Sequence, residues 1–386
     1  MEFQHLIAGR AHAVDASGIR KIFDLAASLK DPANLSIGQP HFDVPGNIRQ
    51  AASAAIEGRR NAYTPTQGAP DLRQAITRLL AAEFPATLGA AGPDQLPEDT
   101  GLLVTSGVSG ALMLLMMATI QPGDEVIVPD PYFVMYKHLV KLFGGTPVFA
   151  DTYPDFQLTP ARVEKLITPR TKLVLLCSPG NPTGVVSSQA NAEELARLCE
   201  NKGVLLVSDE IYDAFCHEMS EGKCPSPLRV SRNVILLRGF SKTWAMTGWR
   251  LGYMTGPKAV IDQCTKLQQY SFVCAPSMVQ AAGVEALKTP IAHHVADYKK
   301  KRDRVVERLS PHYELTVPGG AFYAFPKVPA RLGMTGTQFV HAALAKNLLT
   351  IPGGVFSERD THFRISYACA DAMLERGLDL LVDIAK

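Results

Sequence analysis

One lysine in this sequence stands where its chemistry would be unusual. Lys242 comes shortly after an apolar run at residues 234–237 that predicts a buried strand. An ammonium group at the end of a buried strand loses hydration, which favours the neutral amine. A neutral amine can attack an aldehyde and form an imine. The alternative for Lys242 is an ammonium paired with a carboxylate at the surface.

Two further segments place polar groups where predicted strands end. Residues 178–184, Ser-Pro-Gly-Asn-Pro-Thr-Gly, predict a rigid turn around Asn181, and a turn with no further role is the alternative. Residues 208–213, Ser-Asp-Glu-Ile-Tyr-Asp, offer the carboxylate of Asp209, which could instead cap a helix. Because ligands bind beyond the strand ends of a parallel sheet, both segments indicate a site there.

Anion binding is predicted at three other places. Residues 105–111, Thr-Ser-Gly-Val-Ser-Gly-Ala, lead into a helix predicted at 111–120. The backbone N–H groups of a helix N-terminus can bind an anion. The alternative is an ordinary helix start, since many helices begin with serine. Ser241 and Arg250 would hold a phosphate beside Lys242. Arg364, in Phe-Arg-Ile-Ser-Tyr at 363–367, carries a planar guanidinium that fits a carboxylate, with a structural salt bridge as the alternative.

The segment 241–250, Ser-Lys-Thr-Trp-Ala-Met-Thr-Gly-Trp-Arg, closely resembles the lysine signature of the class I and II aminotransferases, in the fold-type I family of pyridoxal-phosphate enzymes. The other segments follow in the family's order through most of the chain. The resemblance implies that Lys242 forms a Schiff base with pyridoxal 5′-phosphate. It also implies that Asp209 keeps the pyridine nitrogen of the cofactor protonated, so that the ring withdraws electrons.

The resemblance implies roles for further residues as well. Lys242, Asp209 and Tyr212 are the implied catalytic residues, and Tyr212 and Asn181 would hydrogen-bond the ring oxygen of the cofactor. Phe133 would stack on the ring, although core packing is the alternative for this side chain. The implied phosphate-binding residues are Gly107, Val108, Ser109, Ser241 and Arg250, together with Tyr63, which would come from a neighbouring subunit. The implied substrate-binding residues are Gly38, Ile19, Asn181 and Arg364. The shared tyrosine implies a homodimer.

Apolar runs alternate with helical patterns between about residues 100 and 255 and predict an α/β fold with a mainly parallel sheet. We expect a large cofactor-binding domain over residues 46–285 and a smaller α+β domain over 286–386. Residues 1–45 would form an N-terminal arm against the small domain, with a possible helix at 18–29. A helix is also predicted at 292–309, with the basic run at 299–302 facing solvent. The predicted strands are 102–105, 125–128, 146–149, 172–176, 204–207 and 234–237.

Composition excludes several classes of protein. Lys and Arg total 39 against 37 Asp and Glu, so charge gives no reason to expect nucleic acid or an acidic membrane as a partner. Seven cysteines without CxxC spacing predict reduced thiols, with neither a disulfide framework nor a metal site. No secretory signal and no apolar run long enough to cross a membrane stand out. The sequence therefore predicts a cytoplasmic protein.

The resemblance implies an aminotransferase that moves an amino group from an L-amino acid to a 2-oxo acid by a ping-pong mechanism. Some prokaryotic aspartate aminotransferases carry a lysine where this chain has Ser109, and others carry an arginine shortly after the phosphate arginine, whereas residues 251–301 contain no arginine here. An aromatic or other neutral amino donor is therefore predicted. A lyase, a decarboxylase or a non-catalytic sensor of the cofactor would use the same kind of site, and these alternatives stay open.

Overall fold

The computed structural model describes residues 3–16, 18, 29–219 and 223–386. The predicted site residue Ile19 lies outside the described residues. So does the predicted helix at 18–29, except for its two end residues. The strands, numbered along the chain, are β1 (Ala33–Asn34), β2 (Thr100–Thr105), β3 (Glu125–Asp130), β4 (Thr146–Asp151), β5 (Thr171–Cys177), β6 (Leu205–Asp209), β7 (Val234–Gly239), β8 (Gly252–Pro257), β9 (Tyr323–Ala324), β10 (Leu348–Leu349), β11 (Ile351–Pro352) and β12 (Phe363–Ser366).

The α-helices of the described residues surround these strands. They are α1 (Gly9–His12), α2 (Gly46–Glu57), α3 (Pro70–Glu83), α4 (Gly107–Thr119), α5 (Met135–Leu142), α6 (Pro160–Glu164), α7 (Gln189–Lys202), α8 (Phe240–Thr243), α9 (Lys258–Gln269), α10 (Ser277–Ala286), α11 (Ala292–Leu309), α12 (Gly336–Ala345) and α13 (Asp371–Ala385). Within the described ranges, every helix is too short or too polar to cross a lipid bilayer.

A seven-stranded sheet forms the centre of the fold, in the order β2-β8-β7-β6-β5-β3-β4. Neighbouring strands are parallel except on the two sides of β8, which runs antiparallel to β2 and to β7. The α/β class with a mainly parallel sheet is therefore confirmed. The predicted strands are present within a few residues of their expected bounds, and most continue for one or two residues further.

Both faces of the sheet are covered by helices, which explains the continuous apolar runs of its strands. On β5, Leu173 and Leu175 pack in one core cluster with Leu112 of α4. The alternate residues of the same strand, Val174 and Leu176, pack in a second cluster with residues of α7. This period of two is the side-chain alternation of a strand buried on both faces.

Strand direction brings several loop segments to one edge of the sheet. Because β2 and β7 are both antiparallel to β8, they run in the same direction as each other. The carboxyl ends of β2, β7, β6, β5 and β3 therefore share an edge with the amino end of β8. The residues that follow β2, β3, β5, β6 and β7 therefore lie close together at this edge, next to the residues that precede β8.

Two sequence predictions about helices need correction. Helix α4 begins at Gly107 rather than at residue 111, so the predicted Gly-Val-Ser turn is the first turn of the helix itself. Helix α11 has the predicted bounds, but Lys301 is buried instead of facing solvent, and its Nζ donates to the Cys369 carbonyl at 2.9 Å. Lys301 shares the helix face of Tyr298 and Val305, since residues three or four apart lie on one side of a helix.

The C-terminal part of the chain contributes a small sheet and meets the N-terminal segment. Strands β11, β12 and β9 form an antiparallel sheet in that order. Strand β1 pairs in parallel with β10, with Ala33 opposite Leu348. This pairing attaches the segment after residue 29 to the C-terminal part, while the division of the chain into domains stays a prediction.

Candidate active site

A cavity of about 280 Å³ lies at the edge of the seven-stranded sheet where the strand ends meet. Most of the residues singled out from the sequence line it, although they come from seven separate segments of the chain. These predicted lining residues are Gly38, Val108, Ser109, Phe133, Asn181, Asp209, Tyr212, Ser241, Lys242, Arg250 and Arg364.

Lys242 lies in the short helix α8, directly after β7, and is one of the residues that line the cavity. The Nζ atom donates a hydrogen bond to the backbone carbonyl of Gly38 at 2.7 Å. Burial, together with the positive charges of Arg364 and Arg250, lowers the pKa of Lys242 to about 8, although the Asp209 carboxylate acts in the opposite direction. The amine is therefore much more often neutral near physiological pH than an ordinary lysine, and a neutral amine is nucleophilic.

Asp209 is the last residue of β6 and places its carboxylate on the cavity. Its Oδ2 accepts a hydrogen bond from the Tyr136 hydroxyl at 2.7 Å, and its Oδ1 accepts one from the backbone N–H of Ile211 at 3.3 Å. Burial raises the pKa of Asp209 to about 6, although the Tyr136 hydrogen bond acts in the opposite direction. The carboxylate can thus pair with a protonated ring nitrogen placed in the cavity.

An anion-binding corner is formed by the start of α4 and by Arg250. The first N–H groups of a helix lack partners within the helix, and those of α4 begin at Gly107. Arg250 has a left-handed backbone (φ 57°) and donates through Nη1 to the Thr247 carbonyl at 2.9 Å. A Cβ atom on Gly107, itself at φ +70°, would lie 2.6 Å from Arg250 Nη2. Glycine is therefore required for the guanidinium to reach the helix N-terminus, with the buried Ser241 also lining the cavity.

Arg364 is a buried cation that faces the cavity from β12. Its guanidinium stacks between the rings of Tyr323 and Phe356, at 4.6 Å from each centroid. Nη1 donates to Asn181 Oδ1 at 3.0 Å and Nη2 donates to the Ser36 carbonyl at 2.9 Å. In the described part of the chain, Nε has no hydrogen-bond partner and no carboxylate forms an ion pair with this guanidinium. A structural salt bridge is thus not what holds Arg364, and the group is suited to a carboxylate ligand.

A chain of polar side chains continues from Arg364 across the cavity wall. Asn181 Nδ2 donates to the Tyr212 hydroxyl at 3.4 Å, and the hydroxyls of Tyr212 and Tyr323 lie 3.0 Å apart. Asn181 follows β5, Tyr212 follows β6, and Tyr323 begins β9. This series of hydrogen-bonded side chains therefore links the central sheet to the small C-terminal sheet at the cavity.

Two of the predicted residues that the structure describes, Gly107 and Tyr63, do not line the cavity. Gly107 lies behind Arg250, where it gives that side chain room. Tyr63 is 84% exposed and is not among the residues that line the cavity of its own chain. Ile19 lies outside the described residues. Phe133 does line the cavity, half-buried, with its ring edge-on to that of Tyr136 at 5.7 Å.

The sequence did not single out all the residues that build this site. Tyr136 supports Asp209 from α5, and its position three residues after Phe133 was a signal that could have indicated it. Tyr323 follows Pro-Gly-Gly at 318–320 in an apolar run and gave no signal of its own. The other cavity-lining residues that the sequence did not indicate are Leu112, Cys177, Ile211 and Thr247.

Comparison with known proteins gives consistent matches over nearly the whole chain. The family model described as "Aminotransferase class I and II" matches residues 30–381. The aspartate aminotransferase of Pyrococcus abyssi is 33% identical over 98% of this chain and 98% of its own length. Aromatic-amino-acid aminotransferase 2 of Thermococcus litoralis is 32% identical over 98% of both. A solved structure of a single mutant of Thermus thermophilus aspartate aminotransferase is 33% identical, with a TM-score of 0.90 over 98% of this chain and 99% of that chain.

Proposed function

Because the chain belongs to the class I and II aminotransferase family and has its fold-type I architecture, we propose that the cavity around Lys242 is the site of amino-group transfer. The donor is an aromatic or neutral L-amino acid, the acceptor is a 2-oxo acid, and the two half-reactions follow each other in ping-pong order. One observation carries this proposal: an amine with a lowered pKa lies in one cavity with a buried carboxylate and a guanidinium that has no ion-pair partner among the described residues.

We propose pyridoxal 5′-phosphate as the cofactor, and the residues present fit it. Arg250 and the N-terminus of α4 suit the phosphate, and the clash that a Cβ on Gly107 would cause supports a corner shaped for an anion. Asp209 suits the ring nitrogen and Lys242 the aldehyde. The residues that would complete the cofactor site are Val108, Ser109, Phe133, Asn181, Tyr212 and Ser241.

When bound, the cofactor supplies a ring that withdraws electrons from the substrate α-carbon. Lys242 holds the aldehyde in the resting enzyme and, once released, moves a proton at the α-carbon, for which a pKa of about 8 is well placed. Asp209 holds a proton at the ring nitrogen. Arg364 binds the substrate α-carboxylate, and the stacking of its guanidinium between two rings fixes its orientation.

The composition of the cavity supports a donor without a second carboxylate. Among the described lining residues, the cationic side chains are Lys242, Arg250 and Arg364, and each has another role in the proposed site. Ser109 stands where a lysine would add positive charge. Relatives named for aspartate and for aromatic amino acids both occur, so their names do not decide between the donors.

We further propose that two copies of the chain form a homodimer in which Tyr63 reaches the phosphate site of the neighbouring subunit. Tyr63 lies on a loop that is held in place from two sides. Gln268 donates to the Thr66 carbonyl at 2.7 Å, and Gln280 donates to the Thr64 hydroxyl at 2.9 Å. A fixed loop that presents an exposed aromatic ring supports a contact with a second molecule.

Absorption spectroscopy together with product analysis tests the function. The wild-type protein with pyridoxal 5′-phosphate should show a visible band that phenylalanine bleaches, and a keto acid should accumulate only in proportion to the amino product of a 2-oxo acid acceptor. Lys242→Ala should lose the covalent band. Lys288→Ala, which removes an exposed lysine outside the cavity, is the matched control and should behave as the wild type.

Other products would contradict the proposal in recognisable ways. Release of ammonia with no need for an acceptor would indicate a lyase, and release of carbon dioxide would indicate a decarboxylase. A band that persists in Lys242→Ala would remove this lysine from its proposed role.

A further inference from the structure

Two buried tyrosine hydroxyls meet at the wall of the cavity. The hydroxyls of Tyr212 and Tyr323 are 3.0 Å apart, and the two residues are only 3% and 0% exposed. The backbone of Tyr323 is fixed because β9 pairs with β12, where Tyr323 lies opposite Ser366. Tyr323 is thus fixed by the small sheet, while Tyr212 lies three residues after the end of β6 in the central sheet.

Either hydroxyl could donate in this contact, and the surroundings of Tyr323 favour its hydroxyl as the donor. A phenol has one proton to give and accepts through its oxygen. The Arg364 guanidinium stacks on the Tyr323 ring at 4.6 Å, and a guanidinium has no acceptor. Gly38 approaches the Tyr323 oxygen so closely that a Cβ there would lie 3.1 Å from it. Among the described residues, the hydrogen-bond partner found for the Tyr323 hydroxyl is the Tyr212 oxygen.

We propose that Tyr323 is a positioning residue, whose hydroxyl donates to the Tyr212 oxygen and thereby directs the Tyr212 proton into the cavity, toward the ring oxygen of the bound cofactor. This inference rests on the proposed function. A phenol that accepts a hydrogen bond becomes a stronger donor, because hydrogen bonds in a chain polarise one another. Tyr323 thus acts through Tyr212 and does not itself touch the cofactor.

The effect reaches the nitrogen that links Lys242 to the cofactor. A stronger hydrogen bond from Tyr212 draws negative charge from the ring oxygen, which then attracts the proton on the linkage nitrogen less. That proton is lost at a lower pH when the two hydroxyls act together. Removing the Tyr323 hydroxyl should therefore raise the pH at which the linkage loses its proton.

The pH midpoint of the visible absorption band of the holoenzyme measures this directly. Tyr323→Phe keeps the ring and removes one oxygen, and the midpoint should rise by about 0.5 to 1 pH unit, the size expected for one neutral hydrogen bond. Tyr212→Phe should raise it more. The double variant should match Tyr212→Phe alone, since Tyr323 then has no partner through which to act.

A matched control separates this effect from the general loss of a buried hydroxyl. Tyr313→Phe removes a hydroxyl that donates to the Leu381 carbonyl at 2.6 Å and does not line the cavity. This control should leave the midpoint unchanged.

Three results would overturn the inference, and they are distinguishable. If the wild-type band titrates normally but Tyr323→Phe has the same midpoint and a raised KM, Tyr323 binds substrate and the inference alone fails. If Tyr323→Phe still shifts the midpoint in the Tyr212→Phe background, Tyr323 does not act through Tyr212. If the wild-type protein shows no titrating band at all, the proposed function fails and the inference fails with it.

Discussion

Replacing Lys242 by methionine in the cofactor-free protein measures how strongly the fold disfavours the charged amine. Methionine has a similar length and no charge, so the variant keeps most of the packing. It also loses the hydrogen bond from Nζ to the Gly38 carbonyl. The difference in stability between the two proteins should depend on pH, and this dependence isolates the charge from both packing and the lost hydrogen bond.

The magnitude follows from the pKa of Lys242. Its ordinary value of 10.5 falls to about 8 in the folded protein, mainly through burial. Below pH 8 the lysine is charged in both states, and the folded state bears a cost of about 3 kcal/mol, at about 1.4 kcal/mol per pH unit. Between pH 8 and 10.5 the unfolded chain holds more protons, so wild-type stability rises with pH and the cost disappears. From pH 7 to pH 9.5 the wild type should gain about 2 kcal/mol relative to Lys242→Met.

Equilibrium unfolding in urea at several pH values is the measurement, with both proteins free of cofactor and at equal concentration. Lys242→Met should be the more stable protein at pH 7, and its advantage should shrink by pH 9.5. Lys288→Met, at an exposed lysine outside the cavity, controls for the loss of one ammonium at the surface. Parallel pH profiles for the wild type and Lys242→Met would refute the claim that burial favours the neutral amine.

Three further predictions concern the proposed site. Arg364→Lys should raise the KM for the amino donor about 10- to 100-fold, the loss expected for a charge-assisted hydrogen bond, without changing the cofactor spectrum; an unchanged KM in steady-state kinetics would remove Arg364 from carboxylate binding. Asp209→Asn should lower kcat about 100-fold or more while the covalent band of Lys242 remains, and full activity would show that the charge at this position is not needed. Ser109→Lys should raise kcat/KM for aspartate relative to phenylalanine, since it adds a cation to the cavity; a ratio that stays at the wild-type value would speak against a donor choice set by charge at position 109.

The elements that the sequence predicted well are those whose pattern is set by burial alone. The strands of the central sheet are continuous apolar runs because helices cover both faces, and their positions were correct within a few residues. Strand β8 was not recognised, because Gly, Thr and Pro interrupt its pattern. It is stabilised by pairing along both edges, which a single sequence does not reveal.

The candidate site divides in a similar way. Residues within compact local motifs, such as Lys242 and Asp209, could be singled out because turn residues and strand ends mark them. Tyr323 could not, because its partner Tyr212 lies 111 positions away and the contact depends on two sheets. Lys301 was misjudged because its neighbours in the chain are charged, whereas the helix turns it toward the buried side.

The pairing of β1 with β10 has a consequence for how the protein is made. Residues 33 and 34 leave the ribosome well before residues 348 and 349, which form the strand that receives them. Ser36 and Arg364, joined by a hydrogen bond, are 328 positions apart. A nascent chain can complete its central sheet well before these contacts exist, since domains fold as their residues emerge. The cavity around Lys242 therefore receives the side chain of Arg364 only after a further 328 residues have followed Ser36 from the ribosome, and until then the candidate site is incomplete.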